Sequence, residues 1–350
     1  MNPPAHEGDR TVERRIGLFL AVAALAAVTG CGGKQQPEVV VYTALDRGFS
    51  EPILQEFEKT TGIKARVKYD VEATKTVGLV SAIRAECERP RCDVFWNNEI
   101  VNTIRLKNEG LLTPYRPKAA EPFPAVFKDP EGHWSGFAAR ARVLLVNTNI
   151  VKAGEEPDSI YSLADPKWKG RTGIAKPLFG TTATHASCLF AALGEEKAAE
   201  FFESLKENEI RVMSGNKGVA LDVAAGRLAF GITDTDDAII EVEGGKPVKI
   251  VYPDSRPDQL GALFIPNTLA LVKNGPNPKA ARKLIEYLLS PEVEAALAKA
   301  ESAQIPLNPA VKTAARVKTP SEVNAMQVDF SQAAGTFEKA ASYIEKTFLR

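Results

Sequence analysis

Residues 38–69 read EVVVYTALDRGFSEPILQEFEKTTGIKARVKY, and this stretch alternates between two patterns. Residues 38–45 are apolar and rich in β-branched side chains, which is typical of a strand buried on both faces of a sheet. Apolar residues then recur at helical spacing over 49–60, and Gly62 ends the helix. Residues 63–69 return to a strand pattern. A strand, a helix and a second strand in this order predict a parallel α/β sheet.

The same alternation continues along the chain. A helix over 77–87 and a short strand over 93–96 extend the first sheet. The apolar run 136–147 predicts a strand long enough to leave one lobe and enter another, and the βα pattern then starts again over 174–232. Two α/β lobes also agree with a length of 350 residues at roughly 150 residues per domain.

The first residues predict an export signal. The apolar run 16–30, IGLFLAVAALAAVTG, follows a basic pair and is too short to span the roughly 30 Å of a bilayer core. Its end, VTGC at 28–31, resembles the bacterial lipobox. We therefore predict a lipoprotein signal peptide over 1–30, a lipid on Cys31 and a tether over 31–37. An ordinary secreted protein and a buried N-terminal helix are the alternatives.

Composition excludes several classes of protein. The 44 Lys and Arg residues equal the 44 Asp and Glu residues, so no basic excess is present to hold nucleic acid. Apolar residues at 44% and charged residues at 25% are ordinary for a globular protein, which excludes a disordered, collagen-like or polytopic membrane protein. Contact with the membrane is expected through the lipid anchor only.

Two cysteines lie close together in sequence. Cys87 and Cys92 flank a proline turn, and an exported protein meets an oxidising environment in which cysteines pair. A zinc site would need further cysteines or a histidine cluster, which do not accompany them. The spacing therefore favours a disulfide between Cys87 and Cys92 over a zinc site.

Polar residues follow most of the predicted strands. Open α/β sheets bind ligands at the carboxyl ends of their strands, so recurrence of such residues after several strands predicts one shared cleft. Among the polar residues that follow the predicted strands, acidic residues outnumber basic ones, which predicts a locally acidic cleft within a neutral chain. The candidate ligand-binding residues are Thr43, Asp46, Glu72, Lys75, Asn98, Glu99, Arg140, Thr181, Thr182, Thr184, Ser214, Asn216 and Thr235.

Several segments together resemble a known family. They are VVYTA at 40–44, FEKTTGIK at 57–64, DVFW at 93–96, GLL at 110–112, RARVL at 140–144, DPKWKGR at 165–171 and AAGRLAFG at 224–231. Their order and spacing, from about residue 38 to about residue 309, resemble the periplasmic solute-binding proteins of ABC importers. Within that family they are similar to the ferric-iron-binding type.

The resemblance implies a two-lobed clamshell of the type II periplasmic-binding-protein fold, hinged by crossing strands. Lobe 1 would comprise residues 38–141 and 263–310, lobe 2 residues 142–262, and the helices of 311–350 would pack on a lobe. It also implies a monomer, anchored outside the cytoplasm, that delivers a small ligand to ABC permease and ATPase subunits. Such a protein is not an enzyme and carries no cofactor.

The resemblance further implies a transported metal. The iron type places two consecutive tyrosines after the strand that matches 228–232, whereas this chain has the segment TDTDD at 233–237. Ferric iron, or another hard cation, would then be held by carboxylates, because hard cations favour oxygen donors. The candidate metal ligands are Asp46, Glu99, Asp234, Asp236 and Asp237.

A small synergistic anion would accompany the cation. The segment GTTATH at 180–185 begins a predicted helix, where hydroxyls and free backbone N–H groups attract anions. The alternative ligand is an organic or phosphorylated anion, such as a phosphonate or a sugar phosphate. That anion would be held by the same turn, Lys75 and an arginine, while the carboxylates accept hydrogen bonds from its hydroxyl or amino groups.

An enzyme is the alternative from a different class. Asp234-Thr235-Asp236 after an apolar strand resembles the motif of the Mg-dependent aspartyl phosphatases. Those enzymes also need a lysine and a second acidic pair at other strand ends, and nothing after Asp237 matches them convincingly. The sequence therefore favours binding without chemistry.

Overall fold

The computed structural model describes residues 36–70 and 75–350. The predicted signal peptide, Cys31 and Glu72 lie outside the described residues, as does the predicted tether up to residue 35. Within the described ranges, no helix combines the length and the apolar character needed to cross a membrane.

Ten strands occur in the described part of the chain and follow the order β2-β1-β3-β10-β5-β8-β6-β7, with β4 paired to β10 and β9 paired to β5. The strands are β1 Glu38–Thr43, β2 Lys64–Tyr69, β3 Val94–Asn97, β4 Leu112–Thr113, β5 Ser135–Asn147, β6 Thr172–Ala175, β7 Arg211–Met213, β8 Phe230–Asp234, β9 Val248–Val251 and β10 Phe264–Val272.

Helices cover the sheet and connect its strands. They are α1 Arg47–Thr61, α2 Val77–Ala85, α3 Val101–Asn108, α4 Gly180–Leu193, α5 Glu195–Glu207, α6 Asn216–Ala224, α7 Thr235–Glu243, α8 Pro278–Leu288, α9 Pro291–Lys299 and α10 Phe330–Tyr343. The mixed α/β class predicted from the sequence is confirmed.

The first strand–helix–strand unit forms as its sequence predicts. Strand β1 pairs in parallel with β2 and with β3, and its Val39 and Val41 are fully buried. Helix α1 buries Leu54 and Phe57. It ends at Gly62, whose φ of 71° is left-handed and whose N–H donates to the Glu58 carbonyl. Only glycine adopts this backbone geometry without strain, so the chain can turn directly into β2.

Strand β5 joins the two halves of the fold. Its first part, up to Ala141, pairs with β10, and its second part, from Arg142, pairs with β8 and β9. All 13 residues of β5 are buried, because protein covers both faces of the strand. This pairing supports the proposed division into lobe 1 (38–141 and 263–310) and lobe 2 (142–262).

The last helix contacts both lobes. Thr336 of α10 donates to the Ser187 carbonyl in lobe 2, at 3.1 Å. On its other side the guanidinium of Arg105, from α3 in lobe 1, lies 4.1 Å from the centre of the Phe337 ring. The expectation that the C-terminal helices pack on a single lobe is therefore too narrow.

The predicted disulfide is not formed. Cys87 is exposed and Cys92 is buried, and both are free thiols. The Cys92 thiol donates to the Val94 carbonyl at 3.2 Å, and burial raises its pKa well above the ordinary value for a thiol. The two cysteines are close in sequence, but their spacing carries no information on the direction of each thiol. One thiol points into the core and the other into solvent.

Candidate ligand-binding cleft

A cavity of about 470 Å³ lies between the lobes, beside the carboxyl ends of β6 and β8. Lobe 1 contributes Asp46, Gly48, Phe49, Lys75, Asn98, Arg140 and Glu301. Lobe 2 contributes Ala175, Lys176, Phe179, Gly180, Thr181, Thr182, Ser214, Gly215, Asn216, Lys217, Asp234, Asp236, Asp237 and Ile240.

Three aspartates converge on one wall of this cavity. Asp234 is the last residue of β8, and Asp236 and Asp237 lie in the first turn of α7. Each offers a carboxylate oxygen, and these oxygens all lie within 4.8 Å of one another. A helix N-terminus favours acidic side chains through its dipole, so the fold places the negative charge where it is best tolerated.

Asp234 is held by side chains from three elements. Arg142 lies opposite Asp234 in the β5–β8 ladder and donates Nη1 to its Oδ1 at 2.7 Å. The other carboxylate oxygen accepts from the Thr181 hydroxyl at 2.5 Å and from the Asn216 amide at 2.9 Å. Arg142 also donates to Asn216 Oδ1 at 2.9 Å. Together these bonds fix the end of β8 against the starts of α4 and α6.

Asp236 pairs with the second buried arginine. Arg140 Nη1 lies 3.0 Å from Asp236 Oδ2, and the arginine is only 4% exposed. Burial opposes the charge of Arg140, but the nearby Asp236 and Asp234 overcome this effect and raise its pKa. Its Nε has no hydrogen-bond partner among the described residues. This nitrogen is buried, so one donor of a charged group is left unpaired behind the wall of the cavity.

The carboxylates of α7 resist ionisation. Burial raises the pKa of Asp236 to about 6, although Arg140 opposes the shift and Asp234 adds to it. Burial, Asp236 and Asp234 raise the pKa of Asp237 well above its usual range. Like charges that crowd one another in this way are stabilised by a cation placed between them.

Two helices begin at the cavity. Helix α4 starts at Gly180, with Thr181 and Thr182 in its first turn, and α6 starts at Asn216. The N-cap positions, Phe179 and Gly215, make no side-chain hydrogen bond to the helix. The first N–H groups of a helix have no partner within it, so both termini offer donors and positive partial charge to an anion.

The rims of the cleft are in contact. Lys75 in lobe 1 forms an ion pair with Asp46 of the same lobe. Across the cleft the Gly180 N–H, at the start of α4, donates to the Lys75 carbonyl at 3.2 Å. The cavity is therefore enclosed by both lobes rather than open between separated ones.

Glu99 does not join the aspartate cluster. It is fully buried, accepts from the Asn97 amide at 2.8 Å and from the Asn102 N–H at 3.1 Å, and does not line the cavity. Its second oxygen accepts from the Thr184 hydroxyl at 2.6 Å. Burial raises the pKa of Glu99. The structure does not support the metal-ligand role predicted for Glu99, because both of its carboxylate oxygens already accept hydrogen bonds beneath the cleft.

Three other candidate residues also lie away from the cavity. The Thr43 hydroxyl accepts a hydrogen bond from the Leu45 N–H, and the Thr235 hydroxyl accepts one from the Ala141 N–H. Both hydroxyls are therefore bonded to the backbone. The Thr184 hydroxyl is engaged by Glu99. The remaining described candidates line the cavity: Asp46, Lys75, Asn98, Arg140, Thr181, Thr182, Ser214, Asn216, Asp234, Asp236 and Asp237.

Sequence reasoning missed part of the lining. Lys176 follows β6 directly, so the rule of strand ends could have found it. Phe49, Phe179 and Ile240 read as core residues in the sequence, and no local signal separates a cavity wall from a core. Lys217 and Glu301 were also missed. Among the described lining residues five side chains are acidic and four are basic, so their acidic excess is a single charge.

The chain is similar in sequence to one protein family and to several individual proteins. The model of the family described as bacterial extracellular solute-binding protein matches residues 102–333. The "Iron uptake protein A1" of Synechocystis sp. is 27% identical and covers 84% of this chain and 84% of its own length. The "Major ferric iron-binding protein" of Neisseria meningitidis is 26% identical and covers 89% of this chain and 92% of its own length.

Solved structures share the fold at low identity. Iron-bound HitA from Pseudomonas aeruginosa has a TM-score of 0.79 and is 22% identical, covering 87% of this chain and 98% of that one. The periplasmic binding protein AfuA from Actinobacillus pleuropneumoniae, with exogenous fructose-6-phosphate bound, has a TM-score of 0.80 and is 23% identical, covering 90% and 100%. These similarities confirm the two-lobed type II fold.

Proposed function

Because the chain belongs to the bacterial extracellular solute-binding proteins, we propose that it is the binding component of an ABC importer and delivers a ligand from its cleft to a permease. The role needs no chemical step. A ligand that contacts both lobes favours the closed form by its differential affinity, and the permease recognises that form. The ATPase subunits of the importer would then drive transport.

Ferric iron with a synergistic anion is the proposed cargo. The observation that carries this proposal is the convergence of Asp234, Asp236 and Asp237, whose oxygens lie within 4.8 Å of one another. Oxygen donors suit a hard cation. Burial, and after it the neighbouring carboxylates, raise the pKa values of Asp236 and Asp237, and a cation placed among them would stabilise their charged forms. Relatives named for ferric iron support the same assignment.

A phosphorylated organic anion is the second candidate cargo. Among the described lining residues there is no tyrosine, while Arg140 and the N-termini of α4 and α6 offer donors to a phosphate group. The aspartates would then accept hydrogen bonds from hydroxyl groups. A structural neighbour that holds fructose 6-phosphate favours this candidate.

We further propose that the protein is a monomer that lipid on Cys31 attaches to the outer side of the membrane. The family description as extracellular agrees with a location outside the cytoplasm. The VTGC motif at 28–31 and the apolar run before it support the lipid anchor. Mass spectrometry of the membrane fraction, with Cys31→Ser as the control, tests it; an unmodified Cys31 in the membrane-bound protein would refute it.

Calorimetry of the purified protein tests the cargo. Ferric iron supplied with phosphate should bind the wild type and should bind Asp236→Asn at least about 100-fold more weakly, a loss of about 2.8 kcal/mol. The matched control is Glu200→Gln, an exposed carboxylate on α5 outside the cavity. Binding of fructose 6-phosphate, with no binding of iron in any form, would replace iron by the second candidate.

A further inference from the structure

We propose that Glu294 is a positioning residue for the ligand cleft: it holds a strained bulge at Ala138 in β5, and this bulge turns Arg140 toward the aspartates. Glu294 belongs to α9, which packs against β5, and it is not part of the cavity wall. The role rests on the proposed function, because it links a residue outside the cavity to the binding of a ligand inside it.

The bulge is an extra residue in β5. Phe137 and Ala139 lie opposite two neighbouring residues of β10, so Ala138 between them has no residue opposite it in that strand. Arg140 follows and lies opposite Ile265. Side chains alternate between the two faces of a strand, so one extra residue moves every later side chain to the other face. In a regular ladder Ala139 would lie opposite Ile265, and Arg140 would point away.

The face that the bulge selects carries both arginines that pair with the clustered aspartates. Arg140 lines the cavity, and its Nη1 lies 3.0 Å from Asp236 Oδ2. Arg142, two residues further on the same face, donates to Asp234 at 2.7 Å. In a regular ladder the alanines that precede each arginine would occupy these two places. Both carboxylates would then be buried without their ionic partners.

The backbone of the bulge is strained. Ala138 has a φ of 43°, in the left-handed region, where the β-carbon of an L-residue is crowded. Where the first residue of a bulge has this conformation, it is ordinarily glycine. A strained residue persists only when the surrounding structure holds it in place. The direction of Arg140 therefore depends on the groups that bond to Ala138.

Two buried side chains bond to the backbone of Ala138. The Glu294 carboxylate accepts from the Ala138 N–H at 2.6 Å, and the Asn267 amide donates to the Ala138 carbonyl. Glu294 also accepts from the N–H groups of Leu307 at 3.0 Å and Asn308 at 2.7 Å. An ionised carboxylate only accepts hydrogen bonds, so it suits a position surrounded by three N–H donors. Glu294 thus fixes the bulge to the chain that follows α9.

Glu294→Gln tests the proposal on the purified full chain. The amide replaces one accepting oxygen by an NH₂ group, which cannot accept from the surrounding backbone donors. Calorimetry measures binding of ferric iron with phosphate and, separately, of fructose 6-phosphate. Whichever of these the wild type binds should bind the variant at least about tenfold more weakly, because Arg140 and Asp236 lose their placement. The matched control is Glu292→Gln, an exposed carboxylate in the first turn of the same helix, which should bind like the wild type.

Rescue by glycine separates positioning from a merely structural role. Ala138→Gly removes the cost of the left-handed φ, so the bulge should persist without Glu294. The double variant Ala138→Gly with Glu294→Gln should therefore bind within about threefold of the wild type. Unchanged affinity in Glu294→Gln would overturn the inference, as would a double variant that does not fold or that binds as weakly as the single variant. A wild type that binds neither compound would instead overturn the proposed function.

Discussion

Thr184 in lobe 2 donates a hydrogen bond of 2.6 Å to the carboxylate of Glu99 in lobe 1, and both residues are fully buried. This bond joins α4 to the segment that follows β3. It therefore connects the lobes beneath the cleft, at a place where a change in their relative position must break it.

Thr184→Val is expected to loosen the closed form. It removes the shorter hydrogen bond to one oxygen of the buried Glu99 carboxylate, which then keeps only the Asn102 N–H at 3.2 Å. This loss should lower the free energy of unfolding by about 1–3 kcal/mol. Urea unfolding measures this loss, and small-angle scattering of the ligand-free protein should show a larger radius of gyration. The control is Thr184→Ser, which keeps the hydroxyl. Equal values for the valine and serine variants would show that the hydroxyl does not matter.

Arg142→Met is expected to destabilise the protein by about 3–5 kcal/mol, because it leaves the Asp234 carboxylate buried without its ionic partner. Chemical denaturation measures the change. The exposed pair between Arg66 and Glu38 provides the contrast, since Arg66→Ala should cost about 1 kcal/mol or less. A second variant that combines Arg142→Met with Asp234→Leu should recover part of the loss. No recovery would contradict the pairing.

Iron binding is expected to weaken as the pH falls through about 6. Burial raises the pKa of Asp236 to about 6 in the folded protein, against about 3.9 in an unfolded chain. Asp236 thus holds a proton in the folded, ligand-free state between these values, and the stability it contributes at low pH is lost as the pH rises to 6. A cation must displace this proton, so its affinity should fall by up to about tenfold for each pH unit below 6.

Competition with a chelator of known pH dependence, between pH 5 and pH 7.5, measures this slope. Asp236→Asn has no proton to lose at this position and should give a shallower slope. An identical slope in the wild type and in the variant would show that Asp236 is not the group that titrates.

Reduction is expected to leave the thermal stability unchanged, because Cys87 and Cys92 are free thiols. Unfolding midpoints with and without dithiothreitol should agree. A maleimide reagent should label Cys87 in the native protein and Cys92 only after unfolding, since Cys92 is buried. A lower midpoint in dithiothreitol, or failure of both cysteines to react after unfolding without reductant, would demonstrate a disulfide.

Much of the fold follows from local pattern. Strand β1 is apolar on both faces, and α1 and β5 have the length and periodicity that the sequence predicts. Helix α7 was missed, because the acidic run that begins it reads as a loop after a strand. An acidic first turn is a helix-start signal in its own right, and it could have identified this helix.

The site was harder to predict than the fold, since it depends on which way single side chains point. Asn98 lines the cavity while its neighbour Glu99 is buried beneath it, although both follow β3. The sequence also overestimated the acidic character of the described cleft residues, and for a related reason. Arg142, Lys176 and Lys217 are separated in sequence, so only the folded chain shows that they gather around the aspartates.

Helix α10 limits how the lobes can move. Thr336 bonds to α4 and Tyr343 bonds to the Ala199 carbonyl of α5, so the helix travels with lobe 2. On the lobe 1 side, Arg105 lies over the Phe337 ring and also forms an ion pair with Glu338 of the same helix. A change in the angle between the lobes would have to separate this charge pair and the ring contact together. Helix α10 is therefore expected to act as a strap that favours the closed arrangement, at a place distant from the ligand.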